Sequence, residues 1–317
     1  MNRLAGADIL DIPSLRKADI ELVLETARAF EARLATESLI PLLRGRVLTT
    51  LFYEPSTRTR LSFEAAMLKL GGNVLSVSDT SASSVAKGES LADTARTVAQ
   101  YCDVLVIRHP QPGSAREAAD AADIPVINAG DGSHNHPTQA LLDLYTLLKE
   151  CGKLDGLKIA LVGDLKYGRT THSLAQALVH YHVELLLVSP PELRMPAWVT
   201  ELLAQSGVPF REAQSLPEAM AEADVVYMTR IQRERFSNPA QYERLKGTYV
   251  LTPELMAQAP RRPIILHPLP RVDEISPAVD GFKEAAYFRQ VRNGLYVRMA
   301  LLALVLGAIS GAKEVLG

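Results

Sequence analysis

Short apolar runs alternate with amphipathic stretches along nearly the whole chain, and this alternation limits the possible folds more than any other feature. The runs predicted to be strands are Val47–Tyr53, Val74–Val77, Val104–Ile107, Val126–Ile127, Ile159–Val162, Leu185–Val188, Val225–Met228 and Ile264–Leu266. The stretches predicted to be helices are Leu61–Leu70, Leu91–Tyr101, Pro137–Lys149, His172–His180 and Trp198–Gln205. Strand and helix in alternation are typical of parallel sheets flanked by helices on both faces, so we predict an α/β fold.

The length of 317 residues favours two domains, because a domain usually holds roughly 150 residues. We predict that the first four or five strands form one sheet and the later strands a second. The helix Pro137–Lys149 and the segment after it are the predicted hinge. Ligands of such folds bind outside the carboxyl ends of the strands. We therefore expect the active site in the cleft between the domains, on loops that follow strands.

Charge and cysteine content exclude several classes of protein. The formal net charge of -2 does not fit a basic nucleic-acid-binding protein, so no nucleic-acid partner is expected. Two cysteines, Cys102 and Cys151, are too few for a disulfide framework and fit a reducing cytoplasm.

Asp8 and Asp11 interrupt any apolar run that would indicate a signal peptide. The most apolar segment, Met299–Leu306, is far shorter than the roughly 20 residues that span a bilayer, so we predict a buried helix and no membrane partner.

The segment 52–64 places hydroxyls and cations around a predicted helix start. Pro55 ends the preceding strand, and the helix is predicted to begin near Thr57 or Arg58. Free backbone N–H groups at a helix start bind anions, and the helix dipole adds to the attraction. The side chains around this start are Ser56, Thr57, Arg58, Thr59 and Arg60. The pattern predicts a phosphate cradle without a glycine loop. The alternative is an ordinary N-cap at Ser56 or Thr57 beside surface arginines.

Three further segments of the first half carry polar groups after predicted strands. The loop 81–91 is rich in small residues and has one cation, Lys87, so it is either an anion-binding loop or a solvated loop. Arg108 ends a strand and is expected to point into the cleft. His136 and Gln139 open a helix and offer donors for a small polar group. A metal site at His134 and His136 is disfavoured, because no Cys, Asp or Glu stands at a recognisable spacing.

The second half has a glycine-flanked loop, Gly163–Thr170, between a predicted strand and a helix. It differs by one residue from the phosphate-loop pattern, because Arg169 stands where that pattern has lysine. Nucleotide binding is therefore an alternative, but arginine is a poor substitute for that compact cation. An arginine at a helix start is well suited to bind a carboxylate with both prongs of its guanidinium.

Two more loops of the second half follow strands. Arg230 and Gln232 alternate with Ile231 and would point the same way if the strand continues; the alternative is a charged surface turn. The segment His267–Arg271 contains two prolines, which hold the backbone rigid and make a cis peptide bond possible there. Such a turn can present backbone groups to a small ligand.

The predicted loops bring several cations together: Arg58, Lys87, Arg108, Arg169 and Arg230. Like charges in one cleft repel each other unless anions compensate them, so the expected ligands carry several negative charges. No acidic pair or Ser–His–Asp pattern accompanies these cations. The absence favours catalysis by positioning and charge stabilisation over a covalent intermediate.

At these residues the chain resembles the aspartate/ornithine carbamoyltransferase family. The segment 56–60 is similar to the family's carbamoyl phosphate motif, and His136–Gln139 to its carbonyl-polarising motif. Arg230–Gln232 and His267–Arg271 resemble the aspartate branch, whereas the ornithine branch would show a Ser-Met-Gly segment and a cysteine there. An arginine-rich pocket suits a second carboxylate and repels an ammonium group. The resemblance covers the chain from about residue 48 to the C-terminal helix.

The resemblance implies a role for each matching residue. The expected ligands of carbamoyl phosphate are Ser56, Thr57, Arg58, Thr59, Arg108, His136, Gln139, Pro268 and Leu269. The expected ligands of aspartate are Lys87, Arg169, Arg230, Gln232 and Leu269. The residues expected to act in catalysis are Thr59, Lys87, Arg108 and His136, and a neighbouring subunit is expected to supply Ser83 and Lys87.

The resemblance also implies an activity and an organisation. The expected reaction is carbamoyl transfer from carbamoyl phosphate to L-aspartate in a homotrimer with shared active sites, with no metal or organic cofactor. The expected domains are residues 1–136 plus 291–317 for carbamoyl phosphate and 150–285 for aspartate, joined by 137–149 and 286–290. Another amine acceptor and a non-catalytic homologue are the competing hypotheses. The sequence leaves open whether regulatory chains or a larger assembly join the trimer.

Overall fold

The computed structural model describes residues 2–78, 88–236 and 238–316. It divides into two compact units. Unit 1 comprises Met1–Tyr145 and Arg292–Gly317, and unit 2 comprises Thr146–Val291. The last long helix therefore begins in unit 2 and returns the chain to unit 1.

The described residues form one parallel sheet in each unit. The strands of unit 1 are β1 (Val47–Phe52), β2 (Asn73–Val77), β3 (Val104–His109) and β4 (Val126–Asp131). The strands of unit 2 are β5 (Lys158–Val162), β6 (Glu184–Val188), β7 (Phe210–Ala213), β8 (Val225–Met228) and β9 (Ile264–Leu266). The α/β fold predicted from the sequence is confirmed. Each predicted strand is present, several of them with one to four more residues.

Helices connect the strands and flank the sheets. The helices up to the boundary between the units are α1 (Lys17–Arg33), α2 (Thr57–Lys69), α3 (Leu91–Ala99), α4 (Ser114–Ala121) and α5 (Pro137–Cys151). Those that follow are α6 (Arg169–Leu178), α7 (Ala197–Gln205), α8 (Leu216–Glu222), α9 (Pro239–Leu245), α10 (Pro253–Gln258), α11 (Tyr287–Val305) and α12 (Ala312–Leu316). Short 3-10 helices lie at Pro191–Leu193, Arg233–Arg235 and Pro277–Gly281.

Both sheets reverse their strand order at one point. The order in unit 1 is β2-β1-β3-β4, so the chain leaves β1 toward one edge and resumes on its other side at β3. The order in unit 2 is β7-β6-β5-β8-β9, and the reversal falls between β5 and β8. At such a reversal the loops after two neighbouring strands diverge to opposite faces and leave a crevice, where ligands of open α/β sheets bind.

The core of each unit contains the apolar runs that predicted the strands, packed against apolar residues of the flanking helices. Strand β8 is buried along its whole length, as expected for a parallel strand covered on both faces. The segment Met299–Val305 is buried within α11, so the predicted C-terminal buried helix is confirmed. No helix in the described ranges is both long and apolar enough to cross a membrane.

Candidate active site

The loop after β1 leads directly into α2, and Ser56 occupies the N-cap position of that helix. Within the described first turn, no backbone N–H donates to the Ser56 side chain, so the ordinary capping bond is not made. Backbone N–H groups at a helix start and the helix dipole attract anions. Thr59 is 5% exposed at this start, and Arg58 is half-buried. This geometry favours the predicted phosphate cradle over the simple N-cap.

Arg108 lies on the other side of the reversal in unit 1. It pairs with Phe52 in the register of β1 and β3, and the Tyr53 amide donates to its carbonyl at 2.9 Å. Its guanidinium donates to Glu54 Oε1 at 2.5 Å and to the carbonyl of Ala129 at 3.3 Å. The side chain is 11% exposed. The structure thus places Arg108 beside the loop that leads to Ser56.

His136 and Gln139 stand where β4 passes into α5. Both are buried, and Pro137 takes the first helical position, where its missing N–H costs nothing. The Gln139 amide donates to Asp143 Oδ1 at 2.8 Å, one turn further along the helix. Asp143 is fully buried and was not identified from the sequence. The two predicted ligands are therefore fixed by the helix start and by a carboxylate behind it.

A buried arginine lies in the same unit and was also missed. Arg298 is 3% exposed, and its guanidinium carbon lies 5.0 Å from the centre of the Phe63 ring. Burial lowers the pKa of Arg298 to about 9; the charge of Asp143 opposes this shift, and the charge of Arg108 adds to it. A methyl group at Gly294 would lie 2.6 Å from Arg298 Nη1, so glycine leaves the room that the guanidinium needs.

His134 contacts Asp131 at the end of β4. Its Nδ1 lies 3.1 Å from Asp131 Oδ2, and the buried carboxylate also accepts N–H groups from Gly113 and Asn135. His134 therefore belongs to a network that shapes the loop before His136. Within residues 2–78, 88–236 and 238–316, no three His, Cys, Asp or Glu side chains come together as a metal site. The predicted site residues Ser83 and Lys87 lie outside the described residues.

In unit 2, two loops meet at the reversal between β5 and β8. Gly163 has φ +116°, and a Cβ there would lie 2.3 Å from the carbonyl oxygen of Thr229. The Thr229 amide donates to the Val162 carbonyl at 2.8 Å, and the Asp164 amide donates to Thr229 Oγ1 at 3.1 Å. Only glycine permits this close approach. The loop of Arg169 is thereby pinned to the loop that leads to Arg230.

The loop before Arg169 is closed by its own side chains. Asp164 is fully buried and accepts the Tyr167 amide at 2.9 Å. Burial raises the pKa of Asp164 although backbone N–H groups act against the shift. His172 Nε2 lies 2.7 Å from the Leu165 carbonyl. A phosphate loop offers its N–H groups to the nucleotide, whereas Asp164 already takes one here, which argues against the nucleotide alternative.

Gln232 lies on the segment after β8 and contacts the loop before Arg169, because its side-chain amide donates to the Tyr167 carbonyl at 3.3 Å. Strand β8 ends at Met228, so the alternation of Arg230 and Gln232 does not follow from a continued strand. Gln232 is instead followed by the short 3-10 helix Arg233–Arg235. The hydrogen bond still brings the predicted groups Arg169 and Gln232 to one side of the reversal.

The turn after β9 contains a cis peptide bond between Leu269 and Pro270, and Leu269 has φ +55°. His267, 1% exposed at its side chain, accepts the Leu269 amide on Nδ1 at 2.7 Å and faces Glu274 Oε1 with Nε2 at 2.6 Å. Glu274 was not identified from the sequence, because no motif marks a carboxylate that returns to the turn from seven residues further on. Pro268 and Leu269 are half-buried.

These features define an α/β protein of two units, each with a parallel sheet whose strand order reverses once and with arginines on the segments around that reversal. Comparison with known families agrees with that class. The carbamoyl-P binding domain of the aspartate/ornithine carbamoyltransferases matches residues 7–149, and the Asp/Orn binding domain of the same family matches residues 155–305. The chain belongs to the aspartate/ornithine carbamoyltransferase family.

Individual relatives are similar over nearly their full length. The aspartate carbamoyltransferase catalytic subunit of Thermococcus gammatolerans is 56% identical over 304 residues, which are 96% of this chain and 99% of the relative. That of Methanopyrus kandleri is 53% identical over 308 residues, 97% of this chain and 99% of the relative. The aspartate transcarbamoylase of Trypanosoma cruzi, solved with carbamoyl phosphate and aspartate, superposes with a TM-score of 0.92 at 43% identity, over 96% of this chain and 98% of that chain.

Proposed function

We propose that this chain transfers the carbamoyl group of carbamoyl phosphate to the α-amino group of L-aspartate, giving N-carbamoyl-L-aspartate and phosphate. This reaction is the committed step of de novo pyrimidine synthesis. The observation that carries the proposal is the placement of one arginine-bearing crevice at the reversal of each sheet, with Arg58 and Arg108 in unit 1 and Arg169 and Arg230 in unit 2. The similarity to the Trypanosoma cruzi aspartate transcarbamoylase, solved with carbamoyl phosphate and aspartate and also with N-(phosphonacetyl)-L-aspartic acid, supports it.

Unit 1 binds carbamoyl phosphate in this proposal. The phosphate lies at the start of α2, where backbone N–H groups, three hydroxyls and Arg58 meet it. Arg108, Thr59 and His136 donate to the carbonyl oxygen, and Gln139 holds the carbamoyl amide together with backbone carbonyls of Pro268 and Leu269. Occupation of the site exchanges the contact of Arg108 with Glu54 for a contact with the substrate.

Unit 2 binds aspartate. Arg169 at the start of α6 takes the α-carboxylate, and Arg230 with Gln232 takes the β-carboxylate. Leu269 supplies a backbone group to aspartate, and Lys87 approaches both substrates from a neighbouring subunit. A second carboxylate in the acceptor matches the second arginine, whereas the ammonium group of ornithine would be repelled by it.

The reaction follows from these contacts. The neutral α-amine of aspartate attacks the carbonyl carbon, and negative charge builds first on the carbonyl oxygen, where Thr59, Arg108 and His136 stabilise it. The bond between the carbonyl carbon and the phosphate oxygen then breaks, and Arg58 and Lys87 stabilise the departing phosphate. That phosphate accepts the proton released by the amine. The chain's own part is to hold both substrates in line, which is a large part of the catalytic effect for a bimolecular reaction.

A trimer with shared active sites completes the proposal. Leu61 and Leu68 stand on one face of α2 and are 49% and 56% exposed, and Leu75 on the edge strand β2 is 47% exposed. Exposed leucines beside an open strand edge are typical of a surface that another chain covers. By the family resemblance, Ser83 and Lys87 of one copy serve the active site of a neighbouring copy. We further place the enzyme in the cytoplasm, because Cys102 and Cys151 form no disulfide.

The first test measures product formation from carbamoyl phosphate with aspartate, with ornithine and with no acceptor, without added metal. Aspartate-dependent N-carbamoyl-aspartate is the expected result. Turnover only with another amine would keep the phosphate site and refute the assignment of unit 2. No turnover from a verified trimer would refute the enzymatic assignment.

The shared sites are tested by mixing two inactive variants. Arg58→Ala and Lys87→Ala chains, dissociated and reassembled together, are expected to regain part of the activity, because some sites then receive both native residues. Leu68→Lys is expected to shift sedimentation toward a monomer and to abolish turnover. Full activity in that monomer would contradict the shared site.

A further inference from the structure

The turn after β9 is held by a buried chain of hydrogen bonds that no role assigned so far explains. The His267 amide donates to Gln290 Oε1 at 2.9 Å, and Gln290 is 1% exposed on α11. The His267 ring accepts the Leu269 amide at 2.7 Å and contacts Glu274 Oε1 at 2.6 Å. The second oxygen of Glu274 accepts the amides of Val272 and Asp273, each at 3.2 Å. This series of hydrogen bonds thus runs from the backbone of the turn through an imidazole and a carboxylate back to the backbone.

The contacts determine where the imidazole carries its proton. Nδ1 accepts a hydrogen bond from the Leu269 amide, so the proton lies on Nε2 and is donated to Glu274. Burial raises the pKa of the Glu274 carboxyl, but the hydrogen bond from His267, the positive charge of that ring when it is protonated and the backbone N–H groups together outweigh it, and the pKa lies below its usual value. Glu274 is therefore an acceptor at neutral pH, which matches the Nε2–H tautomer.

The turn needs such support because of its backbone. Leu269 has φ +55°, a left-handed conformation that a branched side chain disfavours. The hydrogen bond from its amide to His267 links two residues separated by one, as an Asx turn does. It therefore fixes the conformation of Pro268 and Leu269 together.

We infer that His267 and Glu274 are positioning residues, which orient the backbone of Pro268 and Leu269 toward the carbamoyl group without touching the substrate. The inference rests on the proposed function and adds two residues to it. A small misplacement of groups that hold a reacting amide lowers catalysis strongly, since the reaction depends on alignment.

Two isosteric variants separate the two contacts of the ring. His267→Asn keeps an oxygen near the position of Nδ1 and loses the reach to Glu274, whereas His267→Gln keeps a donor near Nε2 and loses the acceptor for Leu269. Glu274→Gln keeps the shape of the acceptor and removes its charge. The control is Ile275→Val. Ile275 follows Glu274 in the sequence, is 1% exposed and takes no part in this series of hydrogen bonds. This variant is expected to lower Tm without changing KM or kcat.

His267→Gln is expected to lower kcat/KM for carbamoyl phosphate by about tenfold to a hundredfold, because the Leu269 amide loses the acceptor that fixes the turn. His267→Asn is expected to stay within about threefold of the wild type, because its side-chain oxygen restores the Asx-type bond. Glu274→Gln is expected to lie between the two. If kcat/KM falls in His267→Gln but not in Ile275→Val, and the two variants have comparable Tm values, the loss comes from positioning and not from general destabilisation.

A ¹⁵N NMR measurement on the wild-type protein tests the tautomer without activity. The His267 resonances, assigned by comparison with His267→Gln, should show a proton on Nε2 and none on Nδ1. A proton on Nδ1, or equal kcat/KM for the Asn and Gln variants, would overturn the inference. Absence of carbamoyl-aspartate formation by the wild type would instead refute the proposed function, while the NMR result would still report on the network.

Discussion

The close approach at Gly163 predicts a large effect for one added methyl group. In Gly163→Ala, the new Cβ would lie 2.3 Å from the carbonyl oxygen and 2.6 Å from Oγ1 of Thr229. Ordinary contacts begin at 3.4 Å, so the two loops must separate by about 1 Å. The hydrogen bond from Thr229 to Val162 resists this movement, because it holds β8 beside β5.

The cost has two parts. A non-glycine residue at φ +116° costs about 1–3 kcal/mol of backbone strain, and forcing a methyl into a filled space costs about 1–3 kcal/mol more. The free energy of unfolding of unit 2 should therefore fall by roughly 2–6 kcal/mol, which corresponds to a decrease in Tm of roughly 4–24 °C for a unit of this size. Gly207→Ala is the matched control, since Gly207 has φ +71° and no atom within 4 Å of its Cβ position. It should lose roughly 2–8 °C.

The functional part of the same prediction concerns aspartate. The separated loops carry Arg169 and Arg230, so kcat/KM for aspartate in Gly163→Ala should fall about a hundredfold, the usual effect of a misplacement of about 1 Å. Affinity for phosphate should not change, because its predicted ligands lie in unit 1. Differential scanning calorimetry and steady-state kinetics measure both quantities. A Tm equal to that of Gly207→Ala, together with an unchanged KM for aspartate, would refute the reasoning.

Three further predictions follow from single contacts. Arg58→Ala should lower kcat by about 10²–10³-fold through loss of a donor to the departing phosphate, whereas Arg60→Ala, whose side chain contacts Ser76, should remain active in the same assay. Arg230→Ala should raise the KM for aspartate, and this increase should exceed the increase in the KM for carbamoyl phosphate by about tenfold to a hundredfold, because a charge-assisted hydrogen bond to aspartate alone is lost. Equal increases in both KM values would argue against the proposed role of Arg230. The hydrogen bond from Arg16 holds the pKa of Asp19 below its ordinary value of 3.8, so its stabilisation is complete above that pH and is lost as the pH falls through the lowered pKa. Asp19→Asn should therefore flatten the acid limb of Tm against pH, and an unchanged acid limb would contradict this.

The sequence predicted the parts of the fold that depend on buried apolar runs. Strand β8 and the last four residues of β5 are buried because both faces of the sheet are covered, and such apolar runs are visible without a structure. Strand β7 was missed because it lies at the edge of its sheet and reads Phe-Arg-Glu-Ala, which no apolar pattern marks. Helices α4 and α8–α10 were missed because they are short, and tertiary packing supplies most of their stability.

The candidate site was predictable where a residue follows a strand directly. Arg108 and Arg169 stand at strand ends or helix starts, so the parallel sheet alone predicts the edge on which they lie. A common direction for Arg230 and Gln232 was expected only if the strand continued, and β8 ends at Met228, two residues before Arg230. The supporting groups Asp143, Glu274 and Arg298 could not be predicted, because their partners are distant in sequence and no short motif joins them.

The reversal of strand order in both sheets has a consequence for how such a protein can change over time. Each crevice is formed by loops of a single sheet, so the proposed phosphate ligands Ser56–Thr59 and the proposed carboxylate ligands Arg169, Arg230 and Gln232 are encoded in separate stretches of the gene. In the proposed function, mutations after β8 would alter recognition of the amine acceptor, whereas the loop that leads into α2 would still bind the phosphate of the donor. A duplicated copy of such a gene could therefore acquire a different acceptor through a few changes in one stretch, without passing through a form that has lost its donor.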